Sequence, residues 1–206
     1  MDFVAFDTET TGISPHRDAV IEIGAVRFSD GIPGESFSEL IDPGRPIPRG
    51  ATRIHGITDE MVSSSPQIGE VLPRFAEFCG DLPLVAHNAR FDFKFINAAV
   101  RRLACAAPTG PVLDTLTLSR KLWPGLPNYQ LGTLVRVFQV PCGRFHRAAE
   151  DALYCGHVFQ ILLERCRINW PDMDADGLVK ICGRRKMRFM QSAEDRAATW
   201  FADFFN

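Results

Sequence analysis

Near its N-terminus the chain runs Asp2-Phe3-Val4-Ala5-Phe6-Asp7-Thr8-Glu9-Thr10-Thr11-Gly12. Every residue from Phe3 to Phe6 is apolar, the pattern of a central strand covered on both faces. Two carboxylates follow, Asp7 and Glu9. Side chains alternate along a strand, so both acids point to one side of the sheet. Crowded beside apolar neighbours, they repel each other and lose hydration. A divalent cation relieves both costs, and hard oxygen ligands of this kind suit Mg²⁺ or Mn²⁺. Taken alone, the stretch reads equally well as a strand end carrying two solvated acids.

The rest of the chain supplies a sheet for this strand to join. Residues 19–28 and 35–41 read as the second and third strands, with loop chemistry at 29–34, so the sheet begins as an antiparallel meander. Glu22, set among apolar residues, reads as a half-buried, paired structural acid, with support of the site from behind as the alternative. Prolines at 43, 46 and 48 exclude regular structure there. The Ser65-Pro66 pair looks like a helix start, followed by Ile68, Val71, Leu72, Phe75 and Phe78 at helical spacing and ended by Gly80. Pro73 conflicts with that start: the helix either kinks or begins later. A fourth strand at 82–86 leads to a helix at 90–104, and a fifth at 111–114 to a helix at 115–122. Two more helices are predicted at 130–138 and 147–166. A meander followed by strand–helix alternation gives an α/β fold, a five-stranded mixed sheet with helices on both faces.

Two further stretches bear on the acids. Val85-Ala86-His87-Asn88-Ala89-Arg90-Phe91-Asp92 puts a third acid just inside a helix, and His146-Arg147-Ala148-Ala149-Glu150-Asp151 puts a histidine five residues before a fourth. The order DxE, HNxxFD, HxxxxD resembles the motif set of the DEDDh exonucleases, the DnaQ-like 3′–5′ exonuclease family that includes the proofreading ε subunit of bacterial DNA polymerase III and its stand-alone relatives. The resemblance runs from about residue 2 to about residue 165. Each motif is weak alone; their order and contexts together are specific. The resemblance implies a ribonuclease H-like fold and two divalent cations, Mg²⁺ or Mn²⁺. Asp7 would bridge them, Glu9 and Asp151 would complete one site and Asp92 the other, with His146 as general base. It implies a terminal-nucleotide pocket from Thr10, Thr11, Gly12, Ile13, Asn88 and Phe91. In ε-like enzymes the His55-Gly56-Ile57 region lies along the substrate, and Ile13 and Ile57 would touch bases. Read from the residues alone, Gly56 beside Ile57 would let backbone approach a ligand while an apolar side chain presents itself, with a plain turn anchored by Ile54 and Ile57 as the alternative. His87 reads as a structural hydrogen-bonding residue, and His16 and His157 carry no signal.

Charge sets a mild limit. The 23 Lys and Arg against 25 Asp and Glu give a net charge of −2, with no global basic signature of a nucleic-acid binder. An enzyme that releases its product needs only a local positive path. No signal peptide is evident, nor an apolar run long enough to span a bilayer, and none of the six cysteines forms a CxxC pair. Reduced thiols in the cytoplasm are expected. The expected division is an exonuclease domain at 1–166 and a C-terminal extension at 167–206. That extension would hold a linker at 170–174, a basic run at 184–188 and an amphipathic helix at 193–205. The helix would close on the core, pair with a second copy or meet a DNA polymerase subunit. The expected activity is a metal-dependent 3′–5′ exonuclease on single-stranded or frayed DNA ends, in proofreading or repair. Trimming of RNA ends by the same family is the alternative, and a non-catalytic nucleic-acid-binding or polymerase-scaffold module the reading from another class. A nucleotide pyrophosphohydrolase would need another acid arrangement.

Overall fold

The computed structural model describes residues 1–143, 145–182 and 187–190. Five strands form one sheet in the order β3-β2-β1-β4-β5: β1 Phe3–Thr10, β2 Val20–Ser29, β3 Ile32–Leu40, β4 Leu84–Ala86 and β5 Val112–Asp114. β1 lies at the centre, antiparallel to β2 and parallel to β4, and β5 runs parallel beside β4. The third strand starts earlier than expected. Asp30 (φ 48°) and Gly31 (φ 83°) make a two-residue hairpin turn of the left-handed kind that matches strand twist. The ladder therefore resumes at Ile32. Pro33 and Gly34 are tolerated because β3 is an edge strand.

The two faces of β1 enter different cores. Phe3 and Ala5 join Val26 and Phe28 beneath α7 (Ala148–Asn169), while Val4 and Phe6 join Ala25 and Leu84 beneath α3 (Ile68–Cys79) and α4 (Arg90–Leu103). Asp7 and Glu9 belong to the α7 face, as the period-two argument requires. Helix α7 lies unusually close to the sheet. A Cβ on Gly24 would fall 2.1 Å from the backbone of Ala148 and Ala149, so glycine is what lets the helix start directly over β2.

Three short helices were not anticipated. Residues 49–55 and 59–62 form α1 (Arg49–His55) and α2 (Asp59–Val62), where proline and glycine punctuation suggested turns. Gly56, at φ 76°, ends α1. Helix α3 begins after Gln67, not at Ser65-Pro66, because Gln67 and Glu70 exchange capping hydrogen bonds; it runs unbroken through Pro73. Helices α5 (Thr115–Leu122) and α6 (Leu131–Val137) match expectation.

The third unexpected helix is α8 (Ala175–Cys182), beyond the 170–174 turn. Its Leu178 and Val179 are buried in the α7-side core. Val112 N–H then donates to Met187 O (2.9 Å), and Phe189 stacks on Phe93. Residues 184–186 of the basic run and the 193–205 helix lie outside the described residues. All six cysteines are free thiols.

Candidate active site

The acids converge from both layers around the end of β1. Asp7 and Glu9 are half-buried on the α7 face. Asp92 comes from α4 on the opposite face and is buried; its Oδ1 accepts from Thr8 N (3.1 Å) and Thr8 Oγ1 (2.7 Å). A strand residue pointing away from Asp7 thus ties the third acid to the strand that carries the first two. Asp151, in the first turn of α7, is buried, and its Oδ2 accepts from His146 N (3.0 Å). Its Oδ1 is buried without a hydrogen-bond partner among the described residues.

Such an arrangement is costly for ionised groups. Burial first, then the negative charges of Asp92, Glu9 and Asp151, holds the Asp7 carboxyl well above the usual carboxylate range. Burial and then Asp151 push Glu9 up to about 8. Burial raises Asp92 to about 7, against the pull of the Thr8 hydrogen bonds. Asp151 is raised to about 6, again by burial, with His146 acting in the other direction. Ligand atoms of Glu9, His146 and Asp151 lie within 4.8 Å of one another. The orphaned Asp151 oxygen and acids that resist ionisation fit a divalent cation, which supplies what every one of them lacks.

His146 is exposed, in the segment before α7, and has a positive φ of 66°. Its ring thus meets Glu9 and Asp151 from the solvent side. The start of α7 is fixed by Glu22, which is 1% exposed. Arg147 donates to it from Nε (3.1 Å) and Nη2 (2.7 Å), and Ala148 N donates at 3.0 Å. The reading of Glu22 as a paired structural acid holds, with burial complete rather than half.

Beside the acids, Thr10 Oγ1 donates to Gly12 O (2.6 Å) and Thr11 Oγ1 accepts from Ala19 N (2.9 Å). Gly12 is needed there, since a Cβ would meet the Asp18 carboxylate at 2.5 Å. Ile13 is 86% exposed at the rim, and Asn88, at φ 59°, shares a small hollow with it and with Phe91. His55 is buried; its Nδ1 accepts from Ile57 N (3.0 Å), and burial lowers its pKa. Ile57 corrects an expectation. It is 0% exposed, packed with Ile21, Ile47 and Val62, and presents nothing to a base; Ile54, at 62% exposed, is the isoleucine that faces solvent. His87 bonds Thr115 Oγ1 through Nδ1 (2.9 Å), as expected of a structural histidine.

Sequence reasoning missed three supports: Thr8, Arg147 and Asp114. Asp114 caps α5 by accepting from Leu116 N and Thr117 N, and also accepts from Ala89 N, so it sets the turn from which α4 delivers Asp92. The Asp-Thr-Leu-Thr run at 114–117 is a capping signal that would have found it.

A central strand with two inward acids, joined by acids from helices of both layers, defines a nuclease of ribonuclease H-like architecture. The exonuclease family model RNase_T matches residues 4–159, and the chain belongs to that family. It is 43% identical over 164 residues to the PolC-type DNA polymerase III of Caldanaerobacter subterraneus subsp. tengcongensis, covering 80% of this chain and 12% of that protein. The Halalkalibacterium halodurans counterpart is 40% identical over 157 residues, with 76% and 11% covered. The chain thus spans about an eighth of the length of these relatives. Among solved structures it is similar to exonuclease X in complex with 5′ overhanging duplex DNA, at 31% identity and a TM-score of 0.69, covering 88% of this chain and 99% of that one. Exonuclease I shares the fold, at 19% identity, a TM-score of 0.69, and 82% and 41% coverage. No described helix is long and apolar enough to cross a membrane.

Proposed function

We propose that this chain is a metal-dependent 3′–5′ exonuclease that removes nucleoside 5′-monophosphates from single-stranded or frayed DNA ends, in proofreading or repair. The observation that carries this is the convergence of Asp7, Glu9, Asp92 and Asp151 with His146, one carboxylate oxygen of which, on Asp151, is buried with no hydrogen-bond partner among the described residues. Asp7 would be shared between two Mg²⁺ or Mn²⁺ ions, Glu9 and Asp151 serving one and Asp92 the other. When bound, such a pair offsets the negative charge gathered on the attacking and leaving oxygens. The chain's own groups do the rest. His146 accepts the proton of the attacking water at a ring nitrogen, and its exposed position lets it pass that proton to solvent. The backbone from Thr10 to Gly12, with Ile13, Asn88 and Phe91, seats the terminal nucleotide, and His55 with Gly56 borders it. Stacking against apolar and aromatic side chains tolerates any base.

The names of the relatives favour DNA over RNA and a replicative polymerase as the setting. Digestion of matched 5′-labelled DNA and RNA strands with Mg²⁺, and with EDTA as control, tests the reading. Loss of single 3′ nucleotides from DNA is expected. Cleavage from the 5′ end, or undiminished cleavage in EDTA, would refute it.

A further inference from the structure

Two hollows meet at Asn88. The smaller, of about 210 Å³, holds Ile13 and Phe91 and is the one read above as the seat of the terminal nucleotide. The larger, of about 820 Å³, lies on the other side of Asn88 and reaches His146 and Asp151. Its volume is in the range of ligand sites. Its remaining walls are α5, through Leu116 and Arg120, and the segment that enters α6, through Tyr129 and Gln130. Neither wall contributes to the acid cluster.

Those walls offer two kinds of contact. Leu116 and Arg120 are four residues apart on α5, so they share a face of that helix. Arg120 is exposed, and among the described residues it is the one arginine or lysine that lines the hollow and has no carboxylate partner. Its neighbour Lys121 is instead tied to Ile181 O. Tyr129 is half-buried, and its hydroxyl donates to Trp123 O (2.9 Å), so the ring is held by its far end. The Arg120 guanidinium lies 5.9 Å from the centre of that ring. A fixed aromatic plane with a cation beside it suits a nucleobase and a phosphate together. A strand whose last nucleotide lies against Ile13 and Phe91 has its scissile phosphate at the acids. The next nucleotide then falls past Asn88, in the larger hollow.

We infer that the larger hollow is the subsite for the nucleotide on the 5′ side of the scissile bond, with its base stacked on Tyr129 and a strand phosphate held by Arg120. This rests on the exonuclease reading and names where the strand leaves the site. Stacking on an aromatic ring tolerates every base, and phosphate contacts position without reading sequence. The subsite therefore selects for a strand over a mononucleotide and is indifferent to the base it holds.

The test uses Tyr129→Leu, Tyr129→Phe and Arg120→Ala in the full chain. Binding of a labelled oligothymidylate is read by fluorescence anisotropy with Ca²⁺ in place of Mg²⁺. Thymidine 5′-monophosphate, which fills the terminal pocket alone, is measured by its displacement of that strand. Tyr129→Leu should lose about tenfold in affinity for the strand, within the range for one stacked base. Arg120→Ala should weaken strand binding at low salt and lower the salt slope by about 0.7, one single-strand phosphate contact. With Mg²⁺ both should raise KM for the strand and leave kcat within about twofold. Affinity for the monophosphate should stay within about twofold in every variant. Tyr129→Phe keeps the ring and loses the bond to Trp123, so it should retain most of the strand affinity. Arg120→Ala alters an exposed position and tests the subsite even where Tyr129→Leu loosens its loop. Unchanged strand binding in Tyr129→Leu and Arg120→Ala, an equal loss on the monophosphate, or a Tyr129→Phe protein as weak as Tyr129→Leu would overturn the inference. A wild type that binds the strand but cleaves none of it with Mg²⁺ would instead refute the exonuclease reading, while the comparison of strand with monophosphate still decides the subsite.

Discussion

Glu9 and Glu22 stand directly opposite each other across the β1–β2 ladder, on the same face of the sheet. They are the same residue in nearly the same place, yet their circumstances differ. Glu22 is the more deeply buried and the better satisfied, with a two-pronged contact from Arg147 and a backbone N–H from Ala148. Glu9 is half-buried, burial and the charges of Asp151, Glu22 and Asp92 outweigh the pull of Arg147, and its pKa rises to about 8. A buried carboxylate that the protein pairs is a structural part; one that the protein leaves unpaired among other acids waits for something from outside. Depth of burial therefore does not distinguish the two roles. The identity of the partner does.

Substitutions can break this contrast. The largest effect belongs to the unpaired set. Asp7→Ala should bring DNA cleavage below detection while the protein stays folded, because it removes a repelling charge from the apo site; EDTA should do the same to the wild type. Robust hydrolysis by this variant, followed on a labelled strand, would mean that the unpaired acids are not the working ones. His146→Ala should lower turnover by about a hundredfold, within the usual range for a general base, with little change in affinity for single-stranded DNA. Wild-type turnover would leave His146 without a role.

The paired glutamate should show the opposite pattern. Arg147→Met leaves Glu22 buried and unpaired, which costs about 3 kcal/mol, or about 6–12 °C in Tm for a chain of this size. Adding Glu22→Gln should restore part of that loss. Calorimetry on the two variants decides it. If Arg147→Met is neutral while Glu9→Gln destabilises, the assignments of the two glutamates are reversed.

Much of this was legible because strands announce themselves by alternation and apolar runs. The sequence placed Asp7 and Glu9 on one face, and it placed Asp92 and Asp151 at the starts of their helices. What it did not show were contacts between residues far apart in the chain. Thr8 looks like a filler between two acids until Asp92, 84 residues away, is seen to depend on its N–H and hydroxyl. Arg147 reads as part of a motif, and only the fold brings Glu22 to it. Ile57 and Ile54 are indistinguishable as letters; Ile54 is exposed on the last turn of α1, while Ile57, just past its end, is buried. Helix α8 was missed because its stability comes from Leu178 and Val179 packing on a core already formed, a long-range contact that the local residues do not announce.

The smallest effect concerns pH and follows from the same contrast. In the apo protein Glu9, Asp92 and Asp151 titrate near 8, 7 and 6, against about 4 for carboxyls in an unfolded chain. Between about pH 4 and about pH 8 the folded state therefore binds more protons than the unfolded state, and the sign of the linkage makes stability fall as pH rises. The Tm in EDTA should drop by several degrees from about pH 5 to about pH 8, each kcal/mol lost appearing as about 2–4 °C. Saturating Mg²⁺ should cancel the drop, because a cation replaces the protons. Asp7→Asn should shrink it, since one fewer charge opposes ionisation of the rest. An EDTA profile that is flat, or that rises with pH, would mean that the acids are not crowded as the geometry places them, and that Glu9 and Glu22 are less different than their surroundings make them.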